Sequence, residues 1–200
     1  MKDNDLTDSK KASSQLAEKK LTSKNVFDVK LLNVFLDEVE LPDKTTSARE
    51  WIKHPGASAV VPVFEDGTIM LLKQFRYPPR KTFIEVPAGK IDPGESAIST
   101  AERELLEESG VTCKHLEKAG SFYPAIGYAD EIIHIYVAWG LSVQGKNEDD
   151  DEFVINHRIR FSEALRMIET GEIDDGKTIC SLFHASLWWK RNHPFEIDLE

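Results

Sequence analysis

Between Gly89 and Val111 the chain reads GKIDPGESAISTAERELLEESGV: a glycine, Glu95 after five residues, Arg103 and Glu104 after seven more, then Glu107, Glu108, Gly110 and an aliphatic Val111. That order dictates a local structure. Asp92-Pro93-Gly94 breaks any helix, Ser96 to Ser109 carries helix formers without Pro or Gly, and Gly110 supplies a stop. A loop, a helix of about three to four turns and a termination are expected. At about 100° per residue, Glu104 and Glu108 fall within about 40° of each other and Glu107 about 60° from Glu104, so three carboxylates share one edge.

Ala97, Ile98, Ala101 and Leu105 form the apolar stripe of this helix, and Glu104 and Glu108 border it rather than lying opposite. Carboxylates turned toward a core repel one another and lose hydration, at a cost of several kcal/mol per ion unless a counter-charge arrives. Two or more divalent cations answer that need. Hard oxygen ligands with no local Cys or His favour Mg²⁺, with Mn²⁺ as substitute, over Zn²⁺. The competing reading is an acidic surface helix with solvated charges, and the stripe geometry argues against it. Arg103 and Glu95, eight positions apart, suit a brace from loop to helix.

At 200 residues the chain accommodates one ordinary domain and an appendage. A net charge of -10 argues against a general nucleic-acid binder, so an anionic small substrate must be received through metal and local arginines. Cys113 and Cys180 lie 67 positions apart with no C-x-x-C, which indicates neither a zinc site nor a disulfide framework. No apolar leader and no run approaching a membrane span is visible, so the expected setting is cytoplasmic, without a membrane partner.

Residues 1–24 are polar, lysine-rich and without aromatics, and read as a disordered tail. Residues 25–56 read as a small β extension with its turn at Leu41-Pro42-Asp43-Lys44, too short to fold alone. From 57 to 200, strand-like runs at 59–64, 68–75, 82–86, 116–123, 132–139 and 153–156 surround the helix. Helices follow at Ser162–Thr170, with Ser162 as N-cap and Gly171 as stop, and at Lys177–Arg191. The fold class expected is α/β, a mixed sheet with helices on both faces plus the small N-terminal β extension. Trp188 and Trp189 are read as packing residues.

The spacing from Gly89 to Val111 resembles the Nudix box, the signature of hydrolases that cleave a nucleoside diphosphate linked to another moiety. Further pieces, His54-Pro55-Gly56-Ala57, Leu72-Lys73-Gln74-Phe75-Arg76, Ile84-Glu85-Val86-Pro87-Ala88-Gly89 and Gly127-Tyr128-Ala129-Asp130-Glu131, are similar to the ADP-ribose and nucleoside diphosphate sugar pyrophosphatase branch, over Val26 to Ile159. The resemblance implies an αβα Nudix sandwich and a homodimer whose N-terminal strands share the binding cleft. It implies metal ligation by the Ala88 carbonyl with Glu104, Glu107, Glu108 and Glu152. It also implies a general base from the loop 147–153, with Glu152 taking a proton from the attacking water and Asp150 next in line. Glu152, Glu107 and Arg103 make up the catalytic set, and Arg49, Trp51, Arg76, Glu85 and Glu131 the substrate-binding set. Trp51 suits a stacking platform, though core or dimer packing explains it equally, and Arg80 is a further phosphate contact or a solvated loop charge.

The activity implied is Mg²⁺-dependent hydrolysis of nucleoside diphosphate sugars, chiefly ADP-ribose to AMP and ribose 5-phosphate. ADP-ribose-selective members carry a proline sixteen residues after the last box glycine; here that place is Ile126, with Pro124 two earlier. A broader or GDP-mannose preference is therefore a live alternative. A non-catalytic nucleotide-sensing module is the alternative from another class. The Gly127–Glu131 segment argues against nucleoside triphosphates, dinucleoside polyphosphates and coenzyme A.

Overall fold

The computed structural model describes residues 15–30, 32–144, 153–192 and 194–199. The chain divides into two compact units, one running to His54 and joined by Ala125–Asp130, the other comprising Pro55–Pro124 and the chain from Glu131. The division falls between His54 and Pro55, and residues 125–130 group with the first unit.

In the first unit Lys19–Asp28 (β1), Asn33–Glu40 (β2) and Thr46–Ile52 (β3) pair antiparallel in the order β1-β2-β3. The turn between β2 and β3 closes through Leu41 N to Thr45 O at 2.8 Å, with Lys44 left-handed at φ 74°. The Asp43 carboxylate accepts from the Thr45 amide and hydroxyl at 3.0 and 2.6 Å, fixing that turn. The tail expected through residue 24 is corrected here, because Lys19–Lys24 belongs to β1. Every residue of β1 is exposed, so no apolar alternation marks it, and the ladder to β2 is what holds it extended. Residues 125–130 join this unit through Ile52 N to Tyr128 O at 2.8 Å and His54 N to the Asp130 carboxylate at 2.7 Å.

The second unit contains Ala57–Pro62 (β4), Thr68–Arg76 (β5), Lys81–Glu85 (β6), Ala88–Lys90 (β7), Ala97–Ser109 (α1), Val111–Thr112 (β8), His115–Phe122 (β9), Ile133–Trp139 (β10), Ser142–Val143 (β11), Val154–Arg160 (β12), Phe161–Thr170 (α2) and Gly176–Asn192 (α3). A four-stranded mixed sheet runs β7-β4-β10-β9, with β4 and β10 parallel, and a three-stranded antiparallel sheet runs β12-β5-β6. Strand β4 is buried along its whole length, so both its faces must be covered. The period of two does this. Ala57, Ala59, Val61, Ile69, Leu71, Ile133 and Val137 pack with Phe161, Ala164, Leu182, Ala185 and Trp189 of α2 and α3. Val60, Met70, Tyr136 and Ala138 turn the other way onto Ala101 and Leu105 of α1.

Helix α1 fits its sequence reading: the Ser96 hydroxyl accepts from the Ser99 amide, and Gly110 ends the helix at φ 68°. Its stripe differs in one member, since Ile98 is exposed and Thr100 is buried in its place, the Thr100 hydroxyl donating to Glu95. Ser162 is not an N-cap. Strand β12 continues to Arg160, so α2 starts at Phe161 and Ser162 sits inside its first turn, its hydroxyl donating to Asp198 at 3.3 Å. Gly171 does end α2, at φ 78°. Trp188 and Trp189 are buried, as expected of packing residues. Among the described residues no helix is long and apolar enough to cross a membrane.

Candidate active site

The carboxylate edge of α1 meets the backbone of β7. The Glu108 carboxylate accepts from the Ala88 amide at 2.8 Å. The Glu104 carboxylate lies against Gly89 so closely that a Cβ there would stand 1.8 Å from one of its oxygens. Gly89 is thus required by close approach and not by turn geometry. Glu104 and Glu108 are 9% and 5% exposed, and Glu107 is half-buried. The core-facing placement of the first two, expected from the stripe, is what the structure contains.

Arg103 crosses this edge. It donates to Glu104 at 2.7 Å and Glu107 at 2.9 Å through one terminal nitrogen, to Glu95 through Nε and the other at 3.1 Å each, and to the Lys90 carbonyl at 3.3 Å. Hydrogen bonds from Arg103, then from Thr100, hold the Glu95 carboxyl down at about 2. The guanidinium is raised in turn, first by Glu95. The brace between loop and helix is therefore present, and Arg103 also orients two box glutamates.

A second charged group borders the first. Arg76, at the end of β5, makes a bidentate pair with Glu85 at 2.8 Å for each bond, and Glu85 is 4% exposed. Burial pushes the Glu85 carboxyl up, but hydrogen bonds from Arg76 and the charges of Lys177 and Arg76 outweigh it, leaving the group below its ordinary value. Arg76 is held high by its bonds to Glu85 against burial, then by the charges of Glu85, Glu108 and Asp175, so the field of the carboxylate edge reaches it.

Lys177, Asp175 and Thr178, at the start of α3, were not singled out by sequence reasoning. Lys177 Nζ lies 3.1 Å from Glu85, 3.3 Å from Asp175 and 3.3 Å from the Val86 carbonyl it donates to. Asp175 accepts from the Thr178 amide and hydroxyl at 2.9 and 2.7 Å, and the Thr178 hydroxyl accepts from the Val86 amide at 3.0 Å. Asp175 followed three residues later by Thr178 is an N-cap pattern, and the cap was legible. The contact with Val86, 92 positions earlier in the chain, was not.

Arg49 is exposed and paired with Glu18 at 2.9 and 2.5 Å within the first unit. Trp51 is stacked on Phe35 at 5.1 Å between centroids and donates to Asp37 at 3.0 Å. Glu131 is half-buried just before β10, and Arg80, left-handed at φ 55°, lies over the Tyr77 ring at 3.2 Å. Glu152 and Asp150 lie outside the described residues.

Among the described residues no three His, Cys, Asp or Glu side chains converge tightly enough to hold an ion as they stand. The donor chemistry still fits one: Glu104, Glu107, Glu108 and the Ala88 carbonyl are hard oxygens gathered from one helix edge and the strand it touches. A side chain at position 89 would fill that space.

The chain is 42% identical over 174 residues, 86% of its length and 94% of the relative's, to the ADP-ribose pyrophosphatase of Bacillus subtilis (strain 168). It is 40% identical to the methanol dehydrogenase activator of Bacillus methanolicus, over 85% of this chain and 93% of that one. A solved structure described as an ADP compounds hydrolase superposes with a TM-score of 0.78 at 22% identity, covering 90% of this chain and 98% of the other, which shows a shared fold. The profile of the NUDIX domain matches residues 53–182, which takes in the box, the Arg76–Glu85 pair and the start of α3, and the chain belongs to the Nudix family.

Proposed function

We propose that the chain hydrolyses the diphosphate bond of nucleoside diphosphate sugars, chiefly ADP-ribose to AMP and ribose 5-phosphate. The observation that carries this reading is the buried carboxylate edge of Glu104 and Glu108 held against Ala88 and Gly89. The relative from Bacillus subtilis, named an ADP-ribose pyrophosphatase, supports the substrate class.

Nudix hydrolases generally use divalent metal ions. In this reading Glu104, Glu107, Glu108, Glu152 and the Ala88 carbonyl hold Mg²⁺, with Mn²⁺ as substitute. When bound, such ions neutralise diphosphate oxygens and acidify the attacking water. Glu152, with Asp150 as the next candidate, would remove the proton from that water. Arg103 keeps Glu104 and Glu107 aimed through its two hydrogen bonds. Arg76 takes a diphosphate oxygen while Glu85 fixes its plane. Trp51, with Phe35 against its ring and its indole nitrogen tied to Asp37, stacks on the base, and Arg49 and Glu131 complete the substrate contacts.

The protein acts as a cytoplasmic homodimer in this reading, joined through the first unit, where Leu21, Val26 and Phe27 of β1 are exposed. Light scattering gives its mass. Incubation with ADP-ribose and Mg²⁺, then a phosphatase that acts on the products but not on the substrate, is expected to release phosphate, and none without metal. Binding without release would instead favour a sensing module. GDP-mannose in parallel tests the broader preference raised by Ile126 standing where selective members carry proline.

A further inference from the structure

The segment Glu85–Gly89 joins β6 to the carboxylate edge, and nearly every group on it is tied down. The Glu85 carboxylate is shared between Arg76 and Lys177. The Val86 amide and carbonyl go to Thr178 and Lys177. The Pro87 carbonyl accepts from Val60 at 2.9 Å, and Ala88 donates to Glu108. Two of these ties come from Lys177, whose side chain is 17% exposed and so largely shielded from water.

We propose that Lys177 is a positioning residue for substrate binding: by sharing Glu85 it leaves Arg76 oriented toward the carboxylate edge and available to a diphosphate. This rests on the substrate role proposed for Arg76. Two cations, Arg76 and Lys177, face two anions, Glu85 and Asp175, both carboxyls being buried deeply enough that desolvation acts strongly on them. Without Lys177, Arg76 is the remaining cation paired with Glu85 among the described residues, and its charge must also offset Asp175. A guanidinium committed to two buried carboxylates offers less to an incoming phosphate oxygen. The Val86 carbonyl also loses its side-chain donor, and Ala88 lies two residues further on.

The test is steady-state hydrolysis of ADP-ribose with saturating Mg²⁺ by the full chain and by Lys177→Met, Lys177→Arg, Arg76→Gln and the Lys177→Met/Arg76→Gln double variant. Lys177→Met is expected to raise KM about tenfold with kcat within about threefold, the signature of lost binding shared by ground and transition states. Lys177→Arg restores most of the KM. In the double variant, Lys177→Met adds little to the effect of Arg76→Gln, because the path through Arg76 is already cut. Additive effects, a wild-type KM in Lys177→Met, or a fall in kcat alone would overturn the assignment. Should Lys177→Met not fold, Lys177→Gln, which keeps a donor for the Val86 carbonyl, carries the same expectation. Lack of hydrolysis by the unmodified chain would instead sink the proposed function, so the two failures are distinguishable.

Discussion

Asp37 and Glu104 are both buried carboxylates, at 7% and 9% exposure, and their surroundings treat them in opposite ways. Asp37 sits in the three-stranded sheet and accepts from two neutral donors, the Ser23 hydroxyl at 2.5 Å and the Trp51 indole at 3.0 Å. Glu104 stands one turn before Glu108 and is bonded by the Arg103 guanidinium, which also reaches Asp92, Glu95 and Glu107. A lone buried charge can be held by neutral dipoles. An edge of like charges needs cations, and Arg103 is divided among four acids. The sheet carboxylate therefore has the partners of a structural group, and the helix edge those expected of the proposed site.

The sharpest break of that contrast is charge removal on the edge. Glu104→Gln and Glu108→Gln keep shape and hydrogen-bonding capacity, so the fold should survive while Mg²⁺-dependent turnover falls by several kcal/mol of transition-state stabilisation, about 10³-fold. Phosphate release and a thermal melt on the same samples check both halves. Full activity in either variant would return α1 to the status of an ordinary acidic helix.

Next in size is Gly89→Ala, which separates geometry from charge. The added methyl would lie 1.8 Å from a Glu104 oxygen, and what yields is the end of a side chain rather than backbone. Stability should fall by only about 1 kcal/mol, whereas moving Glu104 costs about 10²-fold in kcat, as expected of a misplaced group. A large loss of melting temperature with kcat retained would show that Gly89 serves the fold alone.

This division tracks what could be read before folding. The box helix was legible to within a residue because breakers and caps are local: Pro93 and Gly94 before it, Ser96 at its start, Gly110 after it. Strand β7 was not, since Ala88-Gly89-Lys90 has no periodicity of its own and is extended only because β4 pairs with it. Strand β1 escaped notice for the same reason, its residues facing solvent throughout. The resemblance implies substrate contacts for both Arg76 and Glu85, but their mutual pairing depends on β5 and β6 being neighbours, a tertiary fact. Lys177 had no signal at all; one lysine at a helix start is ordinary until Glu85 and Val86 are brought beneath it.

A smaller effect comes from pH acting on the brace. The Glu95 carboxyl, pulled to about 2 from its ordinary 4.5, favours the folded state wherever the unfolded chain would be ionised. Its contribution is full above pH 4.5, declines as pH falls through that value, and is gone below about 2. Urea denaturation should therefore place Glu95→Gln below the wild type at neutral pH, the two midpoints converging as acid is added. A pH-independent gap would mean that the carboxylate's charge is not what Arg103 holds.

The smallest expected effect returns to the sheet. In Asp37→Asn the amide keeps one acceptor and gains donors. The Trp51 N–H can only donate, so it claims the amide oxygen, while the Ser23 hydroxyl can rotate to accept from the new NH₂. One hydrogen bond changes direction and none need be lost, so stability should fall by about 0.5–1.5 kcal/mol, with kcat unchanged. Denaturant midpoint and turnover number measured together decide it. If Asp37→Asn removed turnover as thoroughly as Glu104→Gln, neutral donors would not suffice to mark a carboxylate as structural, and burial with its partners would no longer separate the two regions.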